Sequence, residues 1–212
     1  MTCMQNFSRM LRTVIATAAC VFAAGEAVAE PGCRAGGVAA ANAYVLFNPI
    51  YAMYFGSFED YVSQNRAHFR AGSDAVRCIT ALSRAFLAAG MQLYDPADVQ
   101  RKQQIDAQLG AMGISPGPQQ PNAGTAVFGM GMQLSWLARG LPAAANGDYG
   151  PFNTPANEIE NMQLMARAMF AQLLQVPTAR EAFAAMEPLI REGAQLEYKM
   201  ITYAAERLAS AK

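Results

Sequence analysis

Apolar residues recur at intervals of three and four along most of this chain, and the period-2 alternation of β-branched residues that marks strands is nearly missing. A chain patterned this way can bury its apolar stripes only by packing helix on helix, so the expected fold class is all-α. One case follows Asn48-Pro49, which reads as an N-cap with proline at the first helical position. Tyr51, Tyr54, Phe55, Phe58, Tyr61 and Val62 then fall on one side, and Glu59, Asp60, Ser63, Gln64 and Arg66 on the other.

Further helices are expected on either side. Val38 to Phe47 is alanine-rich and follows Gly36-Gly37. Ser73-Asp74 caps a helix whose buried stripe is Val76, Ile79, Leu82 and Phe86, and which Gly90 ends. Asp95-Pro96 opens another, stopped by Gly110, in which the polar run Gln100 to Gln104 leaves only Val99, Ile105 and Leu109 for the core. Gly113 to Gly124 holds too many prolines and glycines for a regular element and reads as an exposed connection. Thr125 to Arg139 resumes a helix, ended by Gly140 and Leu141-Pro142. After a loop, Thr154-Pro155 starts a helix with the stripe Ile159, Met162, Met165, Met169, Leu173 and Val176. Thr178 to Glu181 is a capping box for the last helix, which runs towards Ala209 with a kink at Pro188 and an interior side of Leu189, Leu196, Met200 and Tyr203. The sum is an irregular bundle of about six helices, with subdomains 30–112 and 125–212.

The N-terminus reads as a cleavable export signal. Arg9 and Arg12 precede the uncharged, mostly apolar run Thr13 to Ala24, too short to span a bilayer of about 30 Å. Ala27-Val28-Ala29 supplies the small residues a signal peptidase accepts, so cleavage is expected after Ala29, leaving Glu30-Pro31. The rival, lipoprotein processing at Cys20, puts Thr17 where a longer apolar residue is expected. Removing 29 of the 212 residues leaves 183, one domain's worth. The removed piece carries Arg9, Arg12 and Glu26, so the rest has 14 basic and 15 acidic residues, with no cationic excess to hold nucleic acid. Cys33 and Cys78 are the cysteines left, and in an oxidising compartment, periplasmic or extracellular, they are expected to pair.

No sequence motif for a catalyst, metal or cofactor stands out. His68 is the one histidine and has no metal-ligand spacing around it, so it reads as a helix-end residue. Methionine thioethers bind Cu(I), and Met130-Gly131-Met132 and Met162, Met165, Met169 raise copper binding as one alternative, although the second group also lies on a core stripe. The acid pairs Glu59-Asp60 and Glu158-x-Glu160 raise a second, a peptidoglycan-active or other hydrolase using carboxylates.

The segment from Trp136 to Phe152 is the candidate binding surface. Trp136, Asp148, Tyr149 and Phe152 place aromatic and acidic groups in and beside a glycine-rich loop, where partner contacts accumulate. The expected function is therefore non-enzymatic binding of a partner protein or cell-envelope component, with no cofactor.

Overall fold

The structure, a computed structural model, describes residues 29–88, 93–112, 122–152 and 177–211. These residues form eight α-helices and no strand: α1 Gly32–Phe47, α2 Pro49–Phe55, α3 Phe58–Gln64, α4 Arg66–Phe69, α5 Asp74–Ala88, α6 Pro96–Ala111, α7 Ala123–Ala144 and α8 Pro177–Ser210. A 3₁₀ turn, Gly150–Phe152, follows α7. The main helices stack in the order α7, α5, α1, α8, and α6 bridges α8 and α7. One continuous core runs through the stack and draws on every helix. No described helix is long and apolar enough to cross a membrane.

Helix α1 sets the spacing. It starts at Gly32, well before the expected Val38, and carries Gly36 and Gly37 inside it. Glycine is unfavourable in a helix interior by about 0.5–1 kcal/mol relative to alanine, so packing must compensate, and the geometry shows how. A Cβ on Gly36 would stand 2.4 Å from the Ala75 nitrogen and the Asp74 carbonyl carbon, and one on Gly37 would stand 2.9 Å from the Ala205 Cβ. The helix is thus pressed against the backbone of α5 on one side and against α8 on the other. Ala39, Ala40, Ala41 and Ala43 continue the buried small-residue surface. One turn from Gly36, Cys33 is joined to Cys78 of α5, with Cα atoms 4.6 Å apart.

Several expected elements take their expected form. Asn48 caps α2 by accepting from the Ile50 N–H, and Asp95 caps α6 by accepting from the Ala97 N–H. Val76, Ile79, Leu82 and Phe86 are the buried stripe of α5, and Val99, Ile105 and Leu109 are that of α6.

Others differ. The single helix expected from Asn48 onward is three, because Gly56 adopts a φ of 121° and Ser57 starts a new helix by accepting from the Asp60 N–H. Helix α7 begins with an Asn122–Thr125 capping box and runs through Pro142 to Ala144. The proline falls in its last turn, so it removes one ladder hydrogen bond, and only Ala143 and Ala144 of the helix follow it. Helix α8 starts at Pro177, ahead of the expected cap at Thr178. Its buried line is Met186, Ile190, Ala194, Glu197, Ile201, Ala205 and Leu208, while Leu189 and Leu196 are half-buried and Tyr203 is exposed. Small residues of α8 meet the small face of α1, so residue size does not mark the interior side. The stripe from Ile159 to Val176 and the connection from Gly113 to Pro121 lie outside the described residues.

Two outcomes test this frame. Gly36→Ala gains helix propensity but forces a methyl group into the α5 backbone; overpacking costs about 1–3 kcal/mol and outweighs the gain. Its urea midpoint should fall, and a rise would show that α1 and α5 are not in contact at Gly36. Cys33→Ala/Cys78→Ala opens a loop with a sequence separation of 45 residues. The chain-entropy model gives a loss of about 4 kcal/mol, readable in the same titration.

Candidate functional site

Two places are candidates for a functional site, and the first is a polar cluster inside the bundle. Lys102 of α6 sends its Nζ to both Asp106 carboxylate oxygens at 2.7 Å and to Glu197 Oε1 of α8 at 2.9 Å. The Tyr51 hydroxyl of α2 donates to the same Glu197 oxygen at 3.1 Å. Glu197 is 8% exposed, and Tyr44 of α1 is buried alongside. Gly193, one turn before Glu197, leaves room for this: a Cβ there would stand 3.2 Å from the Tyr51 hydroxyl. The polar run Gln100 to Gln104, expected on the surface, therefore turns one member inward. Val99, Lys102, Ile105 and Asp106 share a helix face, and the lysine stem supplies apolar length.

The electrostatics of the cluster are those of a closed network. Burial alone would depress the Lys102 ammonium, but the Glu197 and Asp106 carboxylates together outweigh it, and its pKa lies above the ordinary 10.5. Burial, and then the same two carboxylates, push the Tyr44 and Tyr51 phenols well above their ordinary 10.0. Lysine and tyrosine thus stay protonated, and the lysine is no nucleophile. The groups face one another across four helices, which is the arrangement of a structural tie.

The second place is α7 with the loop after it. The four residues expected to form one surface are divided. Trp136 is 50% exposed on α7. Asp148 is exposed and accepts from the Gly150 N–H, fixing the turn. Tyr149 is buried; its pKa is raised by burial and by Glu59, with Arg66 opposing, which places its hydroxyl towards α3 and α4. Phe152 ends the 3₁₀ turn, and its side chain lies outside the described residues. Tyr149 therefore anchors the loop to the core. An aromatic beside glycines in a loop gives no sign in the sequence of which way it turns.

What stands beside Trp136 is a ridge. Phe128, Met132 and Trp136 are 54%, 41% and 50% exposed, spaced i, i+4, i+8 along about 12 Å of α7. The opposite face, Val127, Met130, Leu134, Leu137 and Leu141, is buried against α5 and the core. Among its 22 residues α7 has one charge, Arg139. Thr125, Gly129 and Gln133, all half-buried, form a lower row along one side of the ridge, with Ser135 on the other. Phe128 and Met132 were legible as part of this surface only through their four-residue spacing from Trp136.

The remaining sequence candidates take ordinary places. Met130 and Met132 are about 200° apart around the helix, one in the core and one on the ridge, so their sulfurs do not converge. Met162, Met165, Met169, Glu158 and Glu160 lie outside the described residues. His68 is exposed at the end of α4. Among the described residues no three His, Cys, Asp or Glu side chains gather so as to hold a metal ion. Glu59 is the acid nearest the loop: Oε2 accepts from the Ser57 hydroxyl at 2.8 Å, and Oε1 is buried with no hydrogen-bond partner among the described residues. Its neighbour Asp60 is exposed, so the two do not face each other as a glycan-cleaving pair must.

The network has a pH signature. Tyr44, Tyr51 and Lys102 have folded-state pKa values raised above their unfolded values of 10.0, 10.0 and 10.5. Their contribution to stability is full below pH 10 and is lost as pH rises beyond it. Urea unfolding should show a steep alkaline loss of stability that Tyr51→Phe reduces. Lys102→Met, which strands two carboxylates, should cost about 3–5 kcal/mol, and Lys102→Met/Glu197→Met markedly less. Equal costs for the single and double variants would show that the lysine is not paired to Glu197.

No protein-family model, curated protein or solved structure matches this chain.

Proposed function

We propose that this chain is an exported, non-enzymatic helical protein that binds a partner protein of the cell envelope by accepting an amphipathic helix on the α7 ridge. The observation that carries the reading is the row Phe128, Met132, Trp136, three large apolar side chains about half exposed on the side of α7 that faces away from the core. A contiguous apolar row left in solvent and rimmed by polar residues, here Thr125, Gln133, Ser135 and Arg139, is the pattern of a partner-binding face. A raised i±4 row flanked by lower rows is the shape that helix-into-helix packing uses, and an exposed tryptophan held on a rigid helix is the commonest kind of binding anchor. Arg139, at the end of the row, favours a partner with an acidic residue at the matching end.

Export is supported from two directions. The residues before Glu30 have the order of a signal peptide. The Cys33–Cys78 pairing suits an oxidising compartment, periplasmic or extracellular. The polar cluster supports a binding role over catalysis, since its lysine and tyrosines are committed to the packing of four helices.

Trp136 is the single tryptophan, so its fluorescence reports the ridge directly. In the purified protein it should be readily quenched by iodide. A shielded Trp136 would mean that the chain covers its own ridge, and the reading fails. A photo-reactive residue at Met132, expressed in the exporting cell, should cross-link to one envelope protein, whereas the same residue at exposed Gln108 of α6 should not. Phe128→Asp should abolish that product while shifting stability by no more than about 0.5 kcal/mol, as exposed substitutions do. A product that survives Phe128→Asp would place the contact elsewhere.

A further inference from the structure

At the seam where the first described residues meet the last helix, the Glu30 backbone N–H donates to the Leu208 carbonyl at 3.0 Å. Leu208 lies in the final turn of α8, whose carbonyls have no partner within the helix and carry its negative dipole end. Glu30 is held on its other side as well. Its carboxylate accepts from the Gly32 N–H at 3.0 Å and lies 3.6 Å from the Arg77 guanidinium of α5, which also pairs with Asp74. Ala29, one residue earlier, is exposed.

Removal of residues 1–29 changes the chemistry of one atom in this seam. The Glu30 nitrogen, an amide in the precursor, becomes an ammonium. We propose that this new α-amino group is a structural cation, bound by the Leu208 carbonyl at the C-terminal end of α8, so that export processing strengthens the seam between α1 and α8. The proposal rests on the cleavage after Ala29 put forward above and is independent of the α7 ridge.

The charges around the position allow it. Glu30's own carboxylate favours the ammonium. Arg77 opposes it but already has two carboxylates as partners. Arg34 in the first turn of α1, and Glu206 and Arg207 in the last turn of α8, are exposed, so solvent screens them. A cation at a helix C-terminus is worth a factor of about two to five in a folding equilibrium. The ordinary pKa of an α-amino group is about 7.7–8.0, and these interactions raise it. The added stability is therefore present below about pH 7.7 and disappears as pH rises beyond the folded-state value.

The test compares the purified exported protein with the same protein acetylated selectively at its α-amino group. Acetylation keeps an N–H for Leu208 and removes only the charge. At pH 6 the unmodified protein should show an unfolding constant about two- to fivefold smaller in urea, and the difference should close by about pH 9.5. Equal stability at pH 6, in protein whose sequenced N-terminus is Glu30, overturns the proposal and leaves the export reading standing. An N-terminus elsewhere overturns both.

Discussion

The close approach of α1 to its two neighbours is the constraint on which the rest of the molecule depends. Gly36 against the Asp74–Ala75 backbone and Gly37 against Ala205 bring three helices nearer than ordinary side chains allow. Few side-chain atoms lie between them, so cohesion there comes from backbone-to-backbone dispersion rather than from large buried groups. The Cys33–Cys78 bond sits one turn along the same face and holds the crossing in register. Close packing of this kind tolerates no added volume, which makes α1 the least substitutable element of the fold.

The consequences spread outward in both directions. Towards α8, the small residues that admit α1 continue to Gly193, and the space left by its missing side chain is where the Tyr51 hydroxyl reaches Glu197. The buried ion cluster is therefore a product of the same small-residue logic, and it connects α6 and α2 to a stack they would otherwise only flank. Towards α7 the packing also closes on glycine: Gly131 lies against Leu87, and its carbonyl accepts from the buried Ser83 hydroxyl. With that face fastened, α7 has no choice about which residues it shows to solvent, and Phe128, Met132 and Trp136 are the ones shown.

Much of this could be read in the sequence wherever side chains differ in kind. The stripes of α5 and α6 were legible because Val, Ile, Leu and Phe stand against charged neighbours, and the cysteine pair because Cys33 and Cys78 are the two thiols outside the segment read as a signal. The caps at Asn48 and Asp95 were legible because each is followed by proline. What escaped was set by contacts between distant segments. The interior line of α8 mixes Met186, Ile190, Ile201 and Leu208 with two alanines and a glutamate, while Leu189, Leu196 and Tyr203 stand off it, so hydropathy alone does not pick out which side faces the core. Lys102 reads as surface until Glu197, about a hundred residues away, is placed beside it. Tyr149 and Trp136 were equally plausible as exposed groups, and only the position of α3 and α4 separates them. Of the ridge only Trp136 was picked out in the sequence, because the exposure of Phe128 and Met132 depends on where α5 lies.

The pairing of the first long helix with the last one also shapes how the chain reaches its fold. The chain emerges N-terminus first, from the ribosome or from an export channel, so α1 is complete before α8, about 130 residues later, begins to arrive. During that interval α5 can close over one side of α1, but the side meant for α8 stays open. A conventional core helix waiting with leucines and phenylalanines uncovered would invite aggregation. The waiting face here presents glycine and alanine along most of its length, with Tyr44 as its one large side chain near the end, and so offers little apolar area to a wrong partner. The surface that makes the finished bundle so intolerant of change is, before α8 comes, among the least adhesive the chain could expose.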